Sequence, residues 1–240
     1  MLIYTSNAIK DDLEQVKRLG MGIMVASCKT FAPRKEFKEV PCAMDNGAFQ
    51  CWRKGFPFQA DVFRATMAKA YEVGLTMDFI VCPDVVGNGA VSLPFSMGWA
   101  LGEMITAPRL ALAIQDGMLP REVNHSHAAI FSHLFVGGTV AWKWRNAESW
   151  VDRAHELGMK AHIGQVGTLP RLIRSREIGA DSVDSSSFVR NKSWHIVEEY
   201  LGGTQGEIFA RPQKKESTVS GNHDNGKHNF QRPQKGGGDG

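Results

Sequence analysis

Eight short apolar runs recur along the first 184 residues, and their spacing constrains the fold more than any other feature. They are LIYT (2–5), GIMVAS (22–27), VPCAM (40–44), DFIVC (78–82), RLALAI (109–114), HLFVG (133–137), KAHIG (160–164) and DSVD (181–184). Most are apolar at consecutive positions, so both faces need cover, and a parallel sheet buried under helices supplies it. Amphipathic stretches lie between them. Three of these, DVFRATMAKAYEVG, NAESWVDRAHELG and LPRLIRSREIG, end in glycine, which suits a helix C-terminus. Eight βα repeats predict a compact (β/α)₈ TIM-type barrel over residues 1–203. A doubly wound open sheet is the alternative, but no G-x-G-x-x-G loop follows the first strand.

Beyond the barrel the composition changes. Residues 211–240 hold six Lys or Arg and three Asp or Glu, a formal +3 that equals the net charge of the whole chain. Almost no large apolar residue follows Phe209, so residues 204–240 are expected to form a disordered basic tail. It repeats RPQK at 211–214 and 232–235, and either touches a polyanion or serves only solubility.

The four cysteines, Cys28, Cys42, Cys51 and Cys82, match neither a C-x-x-C metal pair nor a disulfide framework. Reduced thiols in a cytoplasmic protein are the simplest expectation. His125 and His127 form an H-x-H pair with no Cys nearby in sequence, and no metal and no cofactor is expected. No apolar run reaches the 18 or so residues of a membrane span, and MLIYTSNAIKDD lacks the pattern of a signal peptide.

In a βα barrel, active sites form at the C-terminal ends of the strands. Reading each run to its end gives Asp45, Asp84, Gln115, the pair Gly137 and Gly138, Gly164, and Asp184. One Asp after a strand is ordinarily a turn, and Asp45-Asn46-Gly47 alone would read as one. Three Asp and a Gln at corresponding places point instead to chemistry. Two carboxylates can carry out a double displacement at a sugar anomeric carbon, one as nucleophile and one as acid and then base. A further carboxylate, an amide and bare backbone suit the polar edge of a purine, and Phe49 can stack on its face.

These segments carry a resemblance. DNGAFQ (45–50) resembles the D-S-G-G-F-Q signature of the tRNA-guanine transglycosylase family, and GADSVDSSSFVR (179–190) resembles its nucleophile-bearing G-x-D-x-F-D-C-V-x-P-T-R. PD (83–84), AIQDG (113–117), FVGG (135–138) and HIGQVG (162–167) fall between them in the family's order. Two departures stand out. No cysteine follows Cys82, so the family's C-x-C-x-x-C zinc cluster is missing, and of C-V-x-P-T-R only Arg190 is kept. The chain is closer in outline to the short, zinc-free DNA-guanine transglycosylases of phage and bacterial DNA-modification systems.

The resemblance implies that Asp184 attacks C1′ of a deoxyguanosine in DNA and that Asp45 protonates the departing guanine, then deprotonates an incoming 7-deazaguanine. It implies that Asp84, Gln115 and the Gly137-Gly138 backbone select the base, with Phe49 and Ile163 on either side of its ring beside Gly164. Phosphate contacts are expected from Arg53, Lys54, Lys143, Arg145, Arg190 and Lys192. tRNA in place of DNA, or a catalytically silent nucleic-acid-binding barrel, are the rival expectations.

Overall fold

The computed structural model describes residues 1–6, 8–28 and 32–210, with the backbone alone for 204–210. Eight strands close into a parallel barrel in sequence order: β1 (Leu2–Ser6), β2 (Gly22–Ala26), β3 (Cys42–Asp45), β4 (Met77–Val81), β5 (Leu110–Ile114), β6 (His133–Val136), β7 (Lys160–Ile163) and β8 (Ser182–Asp184). Closure comes from β1 pairing with β8, with Leu2 opposite Ser182 and Tyr4 opposite Asp184. The open-sheet alternative is thereby excluded. Each strand lies within two residues of its predicted run, and the register slips once, between Cys42 and Met44 against β4.

The helices are α1 (Asp11–Arg18), α2 (Ala48–Arg53), α3 (Ala60–Glu72), α4 (Gly89–Gly102), α5 (His125–Ala128), α6 (Val140–Glu156), α7 (Leu169–Glu177), α8 (Ser187–Arg190) and α9 (Trp194–Ala210). Between β2 and β3 the cover is a short 3-10 helix, Lys35–Glu39, and α8 is a single turn, so α9 supplies the outer helix that follows β8. Its Val197 and Tyr200 are buried, Glu198 pairs with Arg18 of α1, and Arg176 of α7 lies over the Tyr200 ring. The predicted boundary at residue 203 therefore falls inside α9, and 211–240, most of the expected tail, lie outside the described residues. Among the described residues no helix is long and apolar enough to cross a membrane.

Period-two alternation sorts the strand residues into two apolar groups. Ile23, Val25, Met44, Ile80, Leu112, Ile114, Leu134, Val136, Ile163 and Val183 pack outward against the helices. Tyr4, Met24, Ala43, Phe79, Val81, Ala111 and Ala113 fill the lumen. The helices return to the strands by one repeated turn. Gly20, Gly74, Gly158 and Gly179 adopt positive φ, and the next residue's N–H bonds back to the helix: Met21 to Val16, Leu75 to Ala70, Met159 to Ala154, Ala180 to Ser175. These turns sit at the N-terminal face of the barrel. The opposite face is left to the longer βα loops.

Candidate active site

The turn after β3 shows how that face is built. Gly47 has φ +82, and a Cβ there would lie 2.5 Å from the Ser27 carbonyl oxygen, so the position demands glycine. Asn46 is buried and more than a turn residue. Its Nδ2 donates to Asp84 Oδ1 and to the Cys82 carbonyl, both at 2.7 Å, while its Oδ1 accepts from the Ala48 N–H at 2.8 Å. Asp45 is thus held at the lumen edge by a turn locked to the end of β4.

Asp84 and Gln115 form one buried unit. Gln115 Nε2 donates to Asp84 Oδ2 at 2.6 Å, and its Oε1 accepts from the Gly87 N–H at 3.0 Å. Burial pushes the Asp84 carboxyl up to about 6, against the pull of the Asn46 and Gln115 bonds. Gly137 makes room for the amide, since a Cβ there would come within 2.9 Å of Gln115 Nε2. Its N–H is committed to the Ile114 carbonyl, so of the two backbone donors expected from this pair only that of Gly138 stays open among the described residues. Asp116 is structural: its carboxylate accepts from the Thr139 N–H at 2.7 Å and the Thr139 hydroxyl at 2.6 Å at the start of α6.

Asp184 ends β8 facing into the mouth with 18% of its side chain exposed. One oxygen, Oδ1, lies 3.1 Å from His162 Nε2 and 3.3 Å from the Gln165 N–H. Oδ2 accepts from no described residue. His162 was not anticipated from the sequence. It is fully buried, its Nδ1 is 2.9 Å from Ser182 Oγ, and its ring stacks on Phe135 with centroids 4.8 Å apart. A neutral ring meeting both contacts carries its proton on Nε2 and accepts the Ser182 hydroxyl on Nδ1. The wiring resembles a hydrolase triad with its exposure reversed, because Ser182 is buried and the carboxylate faces the opening.

The two carboxylates feel each other. The Asp45 carboxyl is pushed up to about 7, first by withdrawal from water and then by the Asp184 charge, against bonds from the Gly47 and Asn46 backbone. A carboxyl at that level both gives and takes a proton near neutrality, while its neighbour offers a free oxygen.

Not every expected residue reaches the mouth. Asp45, Asp84, Gln115, Gly138, Gly164 and Asp184 line the C-terminal rim, and Phe49 sits half-buried in the first turn of α2. Ile163 does not: it faces outward with the helix-packing residues, because alternation from His162 turns it away from the lumen. Phe135 is the ring beside the mouth, and Gly164 admits it, since a Cβ there would lie 2.8 Å from that ring. Lys143 is no surface contact. It is 1% exposed, and its Nζ donates to the Gly164 carbonyl at 2.5 Å from the helix side, with burial pulling its ammonium down to about 8. Lys192 is exposed but paired with Asp12 at 2.6 Å. Arg53, Lys54, Arg145 and Arg190 remain exposed.

His127 of the H-x-H pair caps the start of α5 with Asn124, and among the described residues no cluster of three His, Cys, Asp or Glu could hold a metal. A cleft of about 700 Å³ opens elsewhere, between Cys28, Pro33 and the first turns of α3, and none of the three mouth aspartates lines it. In comparisons with known proteins, no family model and no curated sequence matches the chain.

Proposed function

We propose that the protein is a guanine transglycosylase that exchanges guanine in DNA for a 7-deazaguanine. The observation that carries this reading is the pair Asp45 and Asp184, two carboxyls in electrostatic contact at the barrel mouth but in unlike environments, one poised near 7 and the other with a free oxygen.

Asp184 Oδ2 attacks C1′ of the target nucleoside. The C1′–N9 bond breaks, its electron pair leaves with the base, and the Asp45 carboxyl delivers the proton that makes guanine neutral. The sugar is then an ester of Asp184. An incoming 7-deazaguanine gives its N9 proton to the Asp45 carboxylate, N9 attacks C1′, and the C1′–Oδ2 bond breaks to regenerate Asp184. His162 and the Gln165 N–H, both on Oδ1, hold the carboxylate so that Oδ2 is the oxygen presented.

Base selection falls to Asp84 and Gln115. Each oxygen of Asp84 takes one internal bond and keeps a lone pair, enough to accept N1–H and the exocyclic amine of guanine. Gln115 Nε2 keeps a second hydrogen for the guanine carbonyl. Phe49 and Phe135, rather than Phe49 and Ile163, are the rings available to the base plane. A base inside a duplex cannot reach such a site, so the target is flipped out or already unpaired.

The test is mass spectrometry of the protein after incubation with guanine-containing DNA and RNA oligonucleotides in parallel. A covalent sugar-phosphate adduct is expected with DNA and in no Asp184→Ala sample. An adduct with RNA alone makes tRNA the substrate; adduct formation by a folded Asp184→Ala protein removes the mechanism.

A further inference from the structure

α2 runs directly on from the Asp45-Asn46-Gly47 turn, and its end together with the turn that closes it, residues 52–56, carries two rings and two cations that the base-exchange steps leave unassigned. Trp52 is 52% exposed and Phe56 57%. Arg53 and Lys54 are exposed, and no ion pair among the described residues includes either.

The exposure of Phe56 is not that of a loose loop. Gly55 has φ +71, and the Phe56 N–H donates to the Cys51 carbonyl at 2.9 Å, the same glycine turn that ends α1, α3, α6 and α7. In that turn the residue after glycine ordinarily packs back on the helix. Met21, Leu75, Met159 and Ala180 do so and are at most 5% exposed. Phe56 keeps the backbone device and leaves its ring in water. At the inner end, Trp52 lies 5.7 Å from Phe49 with a 34° tilt, so a line of rings starts beside Asp45.

We propose that Trp52-Arg53-Lys54-Gly55-Phe56 is a platform for the single-stranded nucleic acid that flanks the target base, with bases stacked on Trp52 and Phe56 and phosphates on Arg53 and Lys54. This rests on the reading of the mouth as a nucleotide site. Ring faces stack only on bases that have left their own stack, which specifies a single strand, and every base offers such a face, which makes the contact independent of sequence. An apolar protein surface is a poor partner, because it would bury two cations without counter-charge. A phosphate backbone supplies that charge at each step.

The test uses the full chain and a labelled oligothymidylate of about twelve nucleotides, which contains no guanine and so reports binding without chemistry. Anisotropy titrations at about 50 and 200 mM salt compare the native protein with Trp52→Ala/Phe56→Ala and Arg53→Gln/Lys54→Gln. The aromatic variant is expected to bind roughly tenfold more weakly per ring with an unchanged salt slope, and to lose nothing on an abasic strand of the same length. The arginine-lysine variant is expected to flatten the slope by about 1.4, about 0.7 per phosphate contact on a single strand. Both should keep the native melting temperature, and the aromatic variant should keep, at saturating guanine oligonucleotide, the native yield of Asp184 adduct.

Native affinity in the aromatic variant, with the adduct still formed, overturns the platform and leaves the transglycosylase reading standing. Loss of binding to anionic lipid vesicles but not to oligonucleotide overturns it in favour of a membrane contact. A native protein that binds no oligonucleotide and forms no adduct removes both readings.

Discussion

Asp45→Asn should make the protein more stable and less active, and the stability gain should depend on pH in a definite way. The folded carboxyl titrates at about 7, against 3.8 for the free side chain. Between those values the folded protein holds a proton that the unfolded chain has lost. Stability therefore falls as pH rises through that window, and the whole cost is present above it. At about 1.36 kcal/mol per pKa unit, the displacement corresponds to about 4 kcal/mol. Asn keeps the shape and an acceptor for the Gly47 and Asn46 N–H groups but adds an amide that must find partners, so about half of that gain should survive, about 2 kcal/mol. For a domain of this size that raises the melting temperature by about 4–8 °C. Thermal melts of both proteins from about pH 4 to pH 9 give the assay. Because the amide's cost does not depend on pH, the variant should be about 2 kcal/mol less stable at the acid end, gain through the window and level off about 2 kcal/mol more stable above about pH 7. In the same variant, guanine exchange should fall by about 10²–10⁴ with oligonucleotide binding retained. An equal shift at both ends of the pH range, or destabilisation at the alkaline end, refutes the claim that the folded protein strains this carboxylate.

Two further substitutions probe the groups around Asp184. His162→Gln should slow guanine exchange by about 10² while leaving the dissociation constant for the oligonucleotide unchanged, since it frees Oδ1 of Asp184 to turn without touching the polymer; a matching loss of binding would make His162 a packing residue only. Lys143 titrates near 8 when folded and 10.5 when free, so between those values the unfolded chain holds more protons and the native protein gains stability with rising pH, by up to about 3 kcal/mol. Lys143→Met should lack that rise, as read from the difference between the two melting curves across the alkaline range, and an identical rise in both proteins would assign it to another group.

The barrel was legible because its signals are local. Short apolar strands of three to five residues, glycines past the helix ends and polar residues at the strand ends all repeat with the βα unit, and each is set by chemistry within a few residues. The mouth positions 45, 84, 115 and 184 follow from that periodicity alone. What was not legible depends on which way a side chain turns. Ile163 and His162 are neighbours on one strand, and the parity of β7 decides which one enters the lumen. Alternation read from His133, His162 and Ser182, polar residues on otherwise apolar strands, would have marked the inward face. Lys143 is harder, since an amphipathic helix with a Lys between two tryptophans reads as a surface until the Gly164 carbonyl is found above its ammonium. The bulge between β3 and β4 and the single-turn α8 leave no mark in the sequence at all.

The lumen beneath the mouth is uneven, and the unevenness matches the division of labour proposed for the residues above it. Under Asp184 the barrel is packed with rings: His162 stacks on Phe135, and Phe79 lies 5.1 Å from His162 and 4.6 Å from His133. A carboxylate whose orientation matters rests on side chains that cannot turn without moving their neighbours. Under Asp45 and Gln115 the inward residues two positions earlier are Ala43 and Ala113, the shortest apolar side chains a strand can offer, and Ala111 lies below Ala113. Neither strand fills the space below its own polar residue with a long side chain. The same closed barrel thus gives the side with the free oxygen a rigid floor of rings and the side with the acid and the amide a lower one of alanines. In the proposed exchange, a planar base held by Asp84 and Gln115 needs its depth on that second side. A nucleophile needs none.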